Sequence, residues 1–82
     1  MNKFYAVVED FGDSSVCCVC LTRADAEEWI ITECEQWTYE VLMNEDPHDV
    51  FGNEEWDYKE DYWELMHDCI RCFKIEEVLC FV

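Results

Sequence analysis

Positive charge is scarce in this chain. Its 82 residues include five lysines and arginines against 21 aspartates and glutamates, for a formal net charge of −16. Five scattered bases build no cationic patch, and a surface this negative repels phosphate. Direct nucleic-acid binding and attachment to anionic membranes are therefore excluded. Glycine is rarer still, at two residues, too few for a glycine-rich phosphate loop. A calcium loop with Gly52 at its sixth position would start at Pro47, where an aspartate is needed. Neither His48 nor His67 has a histidine four residues on, and no serine sits in a nucleophile elbow. Carboxylates abound, but without a neighbouring base or metal ligand they specify no reaction. The expectation is a protein that is not an enzyme. No apolar run approaches the ~20 residues of a membrane span. The segment from Met1 to Phe11 lacks the apolar stretch of a secretion signal.

Cysteine, by contrast, is plentiful. Seven thiols would suggest disulfides in a small secreted domain, but the count is odd and no export signal is read. The thiols are expected to be reduced, in a cytosol, packing as small hydrophobes. Cys17 with Cys20 and Cys69 with Cys72 have the Cys-x-x-Cys spacing of zinc ligands. The first pair falls in a probable strand, where residues three apart point to opposite faces. Cys69 of the second pair has the periodicity of a core position. No metal and no cofactor are expected.

The chain reads as a single domain spanning residues 1–82, with half of its residues apolar and 16% aromatic. KFYAVVE, from Lys3 to Glu9, is β-branched and aromatic, and SVCCVCL, from Ser15 to Leu21, is a second strand after a turn at Gly12. Thr22 with Asp25 three residues on resembles a capping box. From there a helix is expected over about Arg23 to Met43, burying Ala26, Ile30, Cys34, Trp37 and Val41. Pro47 and Gly52 punctuate the chain. A second helix is expected over about Glu54 to Cys72, with Tyr58, Tyr62, Leu65, Met66, Cys69 and Phe73 as its apolar stripe. Phe73 to Val82 closes the chain as a third strand. The fold class is α+β: a small three-stranded antiparallel sheet with two helices on one face, in the order strand-strand-helix-helix-strand.

The charge is concentrated in the middle. Residues 25–47 carry net −8 and residues 48–68 net −7, while the segments assigned to the sheet are nearly neutral. Seven acids fall within EEWDYKEDYWELMHD alone, residues 54–68. On the first helix Asp25, Glu28, Glu33, Glu35 and Glu40 lie away from the apolar stripe, with Trp29 beside Glu33. On the second, Asp57, Glu60, Asp61, Glu64 and Asp68 form one acidic face. An ordinary solvated helix would mix signs and gain i,i+4 ion pairs. The eight acids of residues 25–46 would lie along ~33 Å of helix, about one per 4 Å. That is close to the spacing of roughly one phosphate per 3.4 Å on a DNA strand. Trp29, Trp56 and Trp63 would be aromatic anchors if exposed.

KFYAVVEDFG, then VCLTRADAEEWI, and finally FKIEEVLCFV resemble the opening and closing segments of small phage and prophage proteins. Small, very acidic proteins of that kind include anti-CRISPR proteins and other DNA mimics. The resemblance implies an inhibitor in the cytoplasm of a bacterial host. Its partner would be a host nucleic-acid-binding protein or nuclease, with a CRISPR effector as the leading single target. The class shares no catalytic motif, so no residue role is carried over. The partner-binding set expected from the charge pattern is Glu28, Glu33, Glu35, Glu40, Asp57, Glu60, Asp61, Glu64, Asp68, Trp29 and Trp56. The rival reading is a small structural or assembly phage protein. It would be a homodimer joined through Trp29 or Trp56, its charge serving only solubility.

Overall fold

The computed structural model describes residues 2–11 and 13–80. Three strands, β1 (Asn2–Phe11), β2 (Asp13–Cys20) and β3 (Phe73–Cys80), form an antiparallel sheet in the order β2-β1-β3. Between β2 and β3 run three helices: α1 (Arg23–Asn44), α2 (Pro47–Phe51) and α3 (Glu60–Ile70). The class is α+β, as the residue pattern implies. The expected turn at Gly12 and the last residues of the expected closing strand, Phe81 and Val82, lie outside the described residues.

In β1, alternation sends Tyr5, Val7 and Glu9 to one side and Phe4, Ala6 and Val8 to the other. Val7 is fully buried in a cluster with Ala26, Ile30 and Cys34 of α1 and Met66 of α3, so both long helices cover its side. Across β1, Val7 pairs with Cys18 and Val8 with Val16, which leaves Cys17 as an extra residue in a bulge. The opposite side of the sheet presents Val16, Val19 and Val78, each more than two-fifths exposed.

The start of α1 follows its sequence signature: the Thr22 hydroxyl accepts from the Asp25 amide at 3.1 Å. Its buried stripe departs from expectation at two positions: Val41 is only half-buried, and Thr38 takes the place of Trp37. Thr38 is completely buried, while Trp37 is 41% exposed. Spacing of four from Ala26, Ile30 and Cys34 leads to Thr38, and backbone geometry overrides the stronger hydrophobicity of the neighbouring tryptophan.

The second long helix is shorter than expected. Glu54 to Tyr58 are not helical, and Tyr58 is 68% exposed rather than part of a buried stripe. Instead Asp46 caps the short α2, accepting from the His48 amide at 2.9 Å with Pro47 in the first turn. Gly52 ends α2 at φ 73°, a left-handed conformation that glycine adopts without strain. A turn at Asp57 then leads into α3. The Asp57 Oδ1 accepts from the amides of Lys59 and Glu60 at 3.1 and 3.2 Å, and Asp61 Oδ2 accepts in return from the Asp57 amide at 2.8 Å.

The molecule measures 56 × 24 × 16 Å, with a radius of gyration of 15.7 Å, against roughly 12 Å for a compact domain of this length. Among the described residues, the buried apolar set is Ala6, Val7, Val8, Ala26, Ile30, Cys34, Leu65 and Met66. Among them, no helix is long and apolar enough to cross a membrane.

Candidate interaction surface

Helices α1 and α3 pack side by side. Glu28, Glu33, Glu40, Glu60, Glu64 and Asp68 are exposed on them, Glu60, Glu64 and Asp68 along one side of α3. The four ion pairs among the described residues are Lys3–Glu77, Arg23–Glu27, Arg71–Asp68 and Lys74–Glu76. Of that acidic set only Asp68 is paired, at 3.7 Å to an Arg71 side chain that is itself 78% exposed. The carboxylates of Glu28, Glu33, Glu40, Glu60 and Glu64 thus stand in solvent with no base against them.

The remaining expected partner-binding residues are placed differently. Asp61 is 6% exposed. Together with Asp57 it holds the α3 start through the three hydrogen bonds described above, so its carboxylate is structural. Asp57 is exposed, yet its Oδ1 is committed to two amides. Glu35 is half-buried and leans toward the α1–α3 seam. There burial, a hydrogen bond with Tyr39, the charge of Tyr39 and then that of Glu35 together hold the Tyr62 hydroxyl above its ordinary pKa.

The tryptophans also redistribute. Trp29 is half-buried, packing edge to face on Phe73 at 5.9 Å, and Trp56 is half-buried against Phe51 at 5.9 Å. Both brace local structure. The exposed aromatic group is a run across the two helices. Tyr39 lies 5.8 Å from Tyr62, which lies 5.2 Å from Trp63. Tyr39 is 53% and Trp63 57% exposed. The sequence signal for this run was the i,i+1 pair Tyr62-Trp63, one ring for the seam and the next for solvent.

A recess opens where the α1–α3 seam meets the end of the sheet. It encloses about 380 Å³ and is lined by Glu9, Glu33, Trp37, Asp68, Cys69, Cys72 and Phe73. Its carboxylates come from β1, α1 and the end of α3. The Cys72 thiol is held above its ordinary pKa, first by burial and then by the charges of Cys69, Glu9 and Asp68. Burial foremost, then hydrogen bonding and charge at Cys69, pushes the neighbouring Cys34 thiol up to about 12. These thiols are protonated at neutral pH and poor nucleophiles. Cys18 is pushed up to about 11 by burial and by Cys20, whose sulfur lies 3.8 Å away. Among the described residues, no three His, Cys, Asp or Glu side chains converge where they could hold a metal ion.

Set against protein-family models, curated proteins and solved structures, the chain finds no match in any of the three comparisons.

Proposed function

We propose that this protein inhibits a host nucleic-acid-binding protein, with a CRISPR effector nuclease as the leading target class, by occupying its basic groove in place of DNA. The observation that carries the reading is the run of exposed, unpaired carboxylates along α1 and α3. A surface meant only to be soluble would gain from mixed signs and i,i+4 pairs. The 22 residues of α1 span ~33 Å, the reach of about ten phosphates on one DNA strand. Attraction at long range speeds encounter with a basic groove. Tyr39 and Trp63 supply exposed aromatic area on the same two helices, the kind of side chain that dominates interface energies. The mechanism needs binding alone.

Self-association is the second reading, favoured by the exposed valines on the open side of the sheet. Strands of ten, eight and eight residues present only about 400 Å² per copy, so about 800 Å² in total, below the ~1,200 Å² of stable specific interfaces. The valine surface therefore ranks behind the acidic one.

The deciding experiment captures partners from a bacterial lysate at low salt and elutes them with rising salt. The bound protein is then challenged with duplex DNA. DNA should compete, and combined Glu28→Gln, Glu33→Gln, Glu40→Gln, Glu60→Gln and Glu64→Gln substitutions should weaken the complex by ~2–5 kcal/mol for each charge facing a desolvated base. A partner bound equally well by the neutralised protein would make mimicry the wrong mechanism.

A further inference from the structure

We propose that the recess between Glu9, Glu33 and Asp68 is a receptor for one arginine side chain of a protein partner. Its volume of about 380 Å³ falls in the range of ligand sites, which join an apolar lining to a few convergent polar groups. The lining fits that description. Trp37 and Phe73 offer aromatic surface, Cys69 and Cys72 supply thiols, and three carboxylates from three separate elements stand around them.

The charge balance selects the occupant. Among the described residues Glu9 and Glu33 have no ion-pair partner, and the contact of Asp68 with Arg71 is long and exposed. A recess bordered, among the described residues, by three carboxylates and no base other than Arg71 favours a cation as its occupant. A planar guanidinium suits the chemistry better than an ammonium. It stacks on an indole, offers five donors to surrounding oxygens and is more weakly hydrated. Arginine is also common in grooves that hold phosphate, so the inference deepens the reading of the chain as a binder of basic protein surfaces and rests on it for the partner's identity.

The test needs no target. Acetyl-arginine amide, acetyl-lysine amide and the neutral acetyl-citrulline amide are titrated at constant ionic strength into ¹⁵N-labelled protein. The expected result is a saturable shift of the Trp37 indole N–H and the Glu9, Glu33, Cys69 and Cys72 amides. The arginine compound should bind at least about threefold tighter than lysine and tenfold tighter than citrulline. Trp37→Leu and Glu33→Gln should each weaken arginine binding about fivefold, with Glu54→Gln, an exposed loop acid outside the recess, as the matched control. Equal shifts from arginine and citrulline would overturn the proposal. So would shifts spread over all acidic residues and weakened alike by Glu33→Gln and Glu54→Gln, since that is diffuse counterion binding. Mimicry can fail in the DNA competition while the recess still takes arginine, and the reverse also holds, so the two ideas fall separately.

Discussion

Replacing Asp61 with alanine should destabilise the protein, although it removes a negative charge from a chain already carrying −16. Asp61 is 6% exposed and its Oδ2 accepts from the Asp57 amide at 2.8 Å. Deleting the acceptor removes a hydrogen bond to a charged group and leaves that amide without its partner, at a cost of about 1.5–3 kcal/mol. A negative charge in the first turn also favours the helix dipole, by roughly 0.3–1 kcal/mol. Relief of self-repulsion offsets a few tenths of that, as typical for a surface charge. The net loss should be about 2 kcal/mol, or a Tm fall of roughly 8–16 °C for a domain of this size. Asp61→Asn keeps an acceptor oxygen and should lose less than half as much, about 1 kcal/mol or under. Glu64→Gln, on the exposed side of the same helix, should hold or gain stability. Urea unfolding followed by far-UV circular dichroism gives the free energies, and hydrogen exchange at the Asp57 amide reports the local bond. An Asp61→Ala protein as stable as the parent, with unchanged protection at Asp57, would refute the structural role assigned to this carboxylate.

Two further outcomes follow from buried groups. The Thr38 Oγ1 is buried with no hydrogen-bond partner, so Thr38→Val, which keeps the shape and removes the stranded hydroxyl, should leave stability unchanged or raise it by about 1 kcal/mol in the same urea assay. The Cys34 thiol, with its pKa pushed from 9.0 to about 12 by burial above all, holds its proton in the folded chain after the unfolded chain has lost it. Stability from this group is full below pH 9, falls as pH rises from 9 towards 12, and is gone above. Cys34→Ala should cost stability at pH 7 through the lost packing yet flatten the alkaline decline, and a Tm series from pH 8 to 11 would show whether it does.

The ends of the chain were the legible part. KFYAVVE is dense in β-branched and aromatic residues, FKIEEVLC also reads as strand, and Thr22-x-x-Asp25 announced the start of α1 where it lies. The middle misled because Glu, Trp and Lys all tolerate helix, so composition ran the second helix back to Glu54. The true start was written in Asp57-x-x-Glu60, an acidic cap signature masked by the many acids around it. Asp46-Pro47 likewise marked α2. The buried state of Asp61 was not legible, because a carboxylate turned back onto its own helix start has the same spacing as one turned to solvent. The recess was invisible for another reason: Glu9, Glu33 and Asp68 meet only after three elements pack, and no linear pattern joins them.

The sheet order has a colloidal consequence. With β1 in the centre, β2 and β3 are both edges, and β2 runs from Ser14 to Cys20 without a charged residue. Such an edge is a template for pairing with another chain, and proteins commonly guard it with lysine, proline or a bulge. Here the Cys17 bulge guards β2 locally, and the remote charge of the helices helps to keep copies apart. That protection depends on pH: near the isoelectric point of about 4.1 the carboxylates cease to repel, and VCCVC edges can zip together as intermolecular sheet. The same acids proposed to face a basic groove therefore also act as the molecule's dispersant, so a form neutralised for binding studies needs low concentration to stay monomeric.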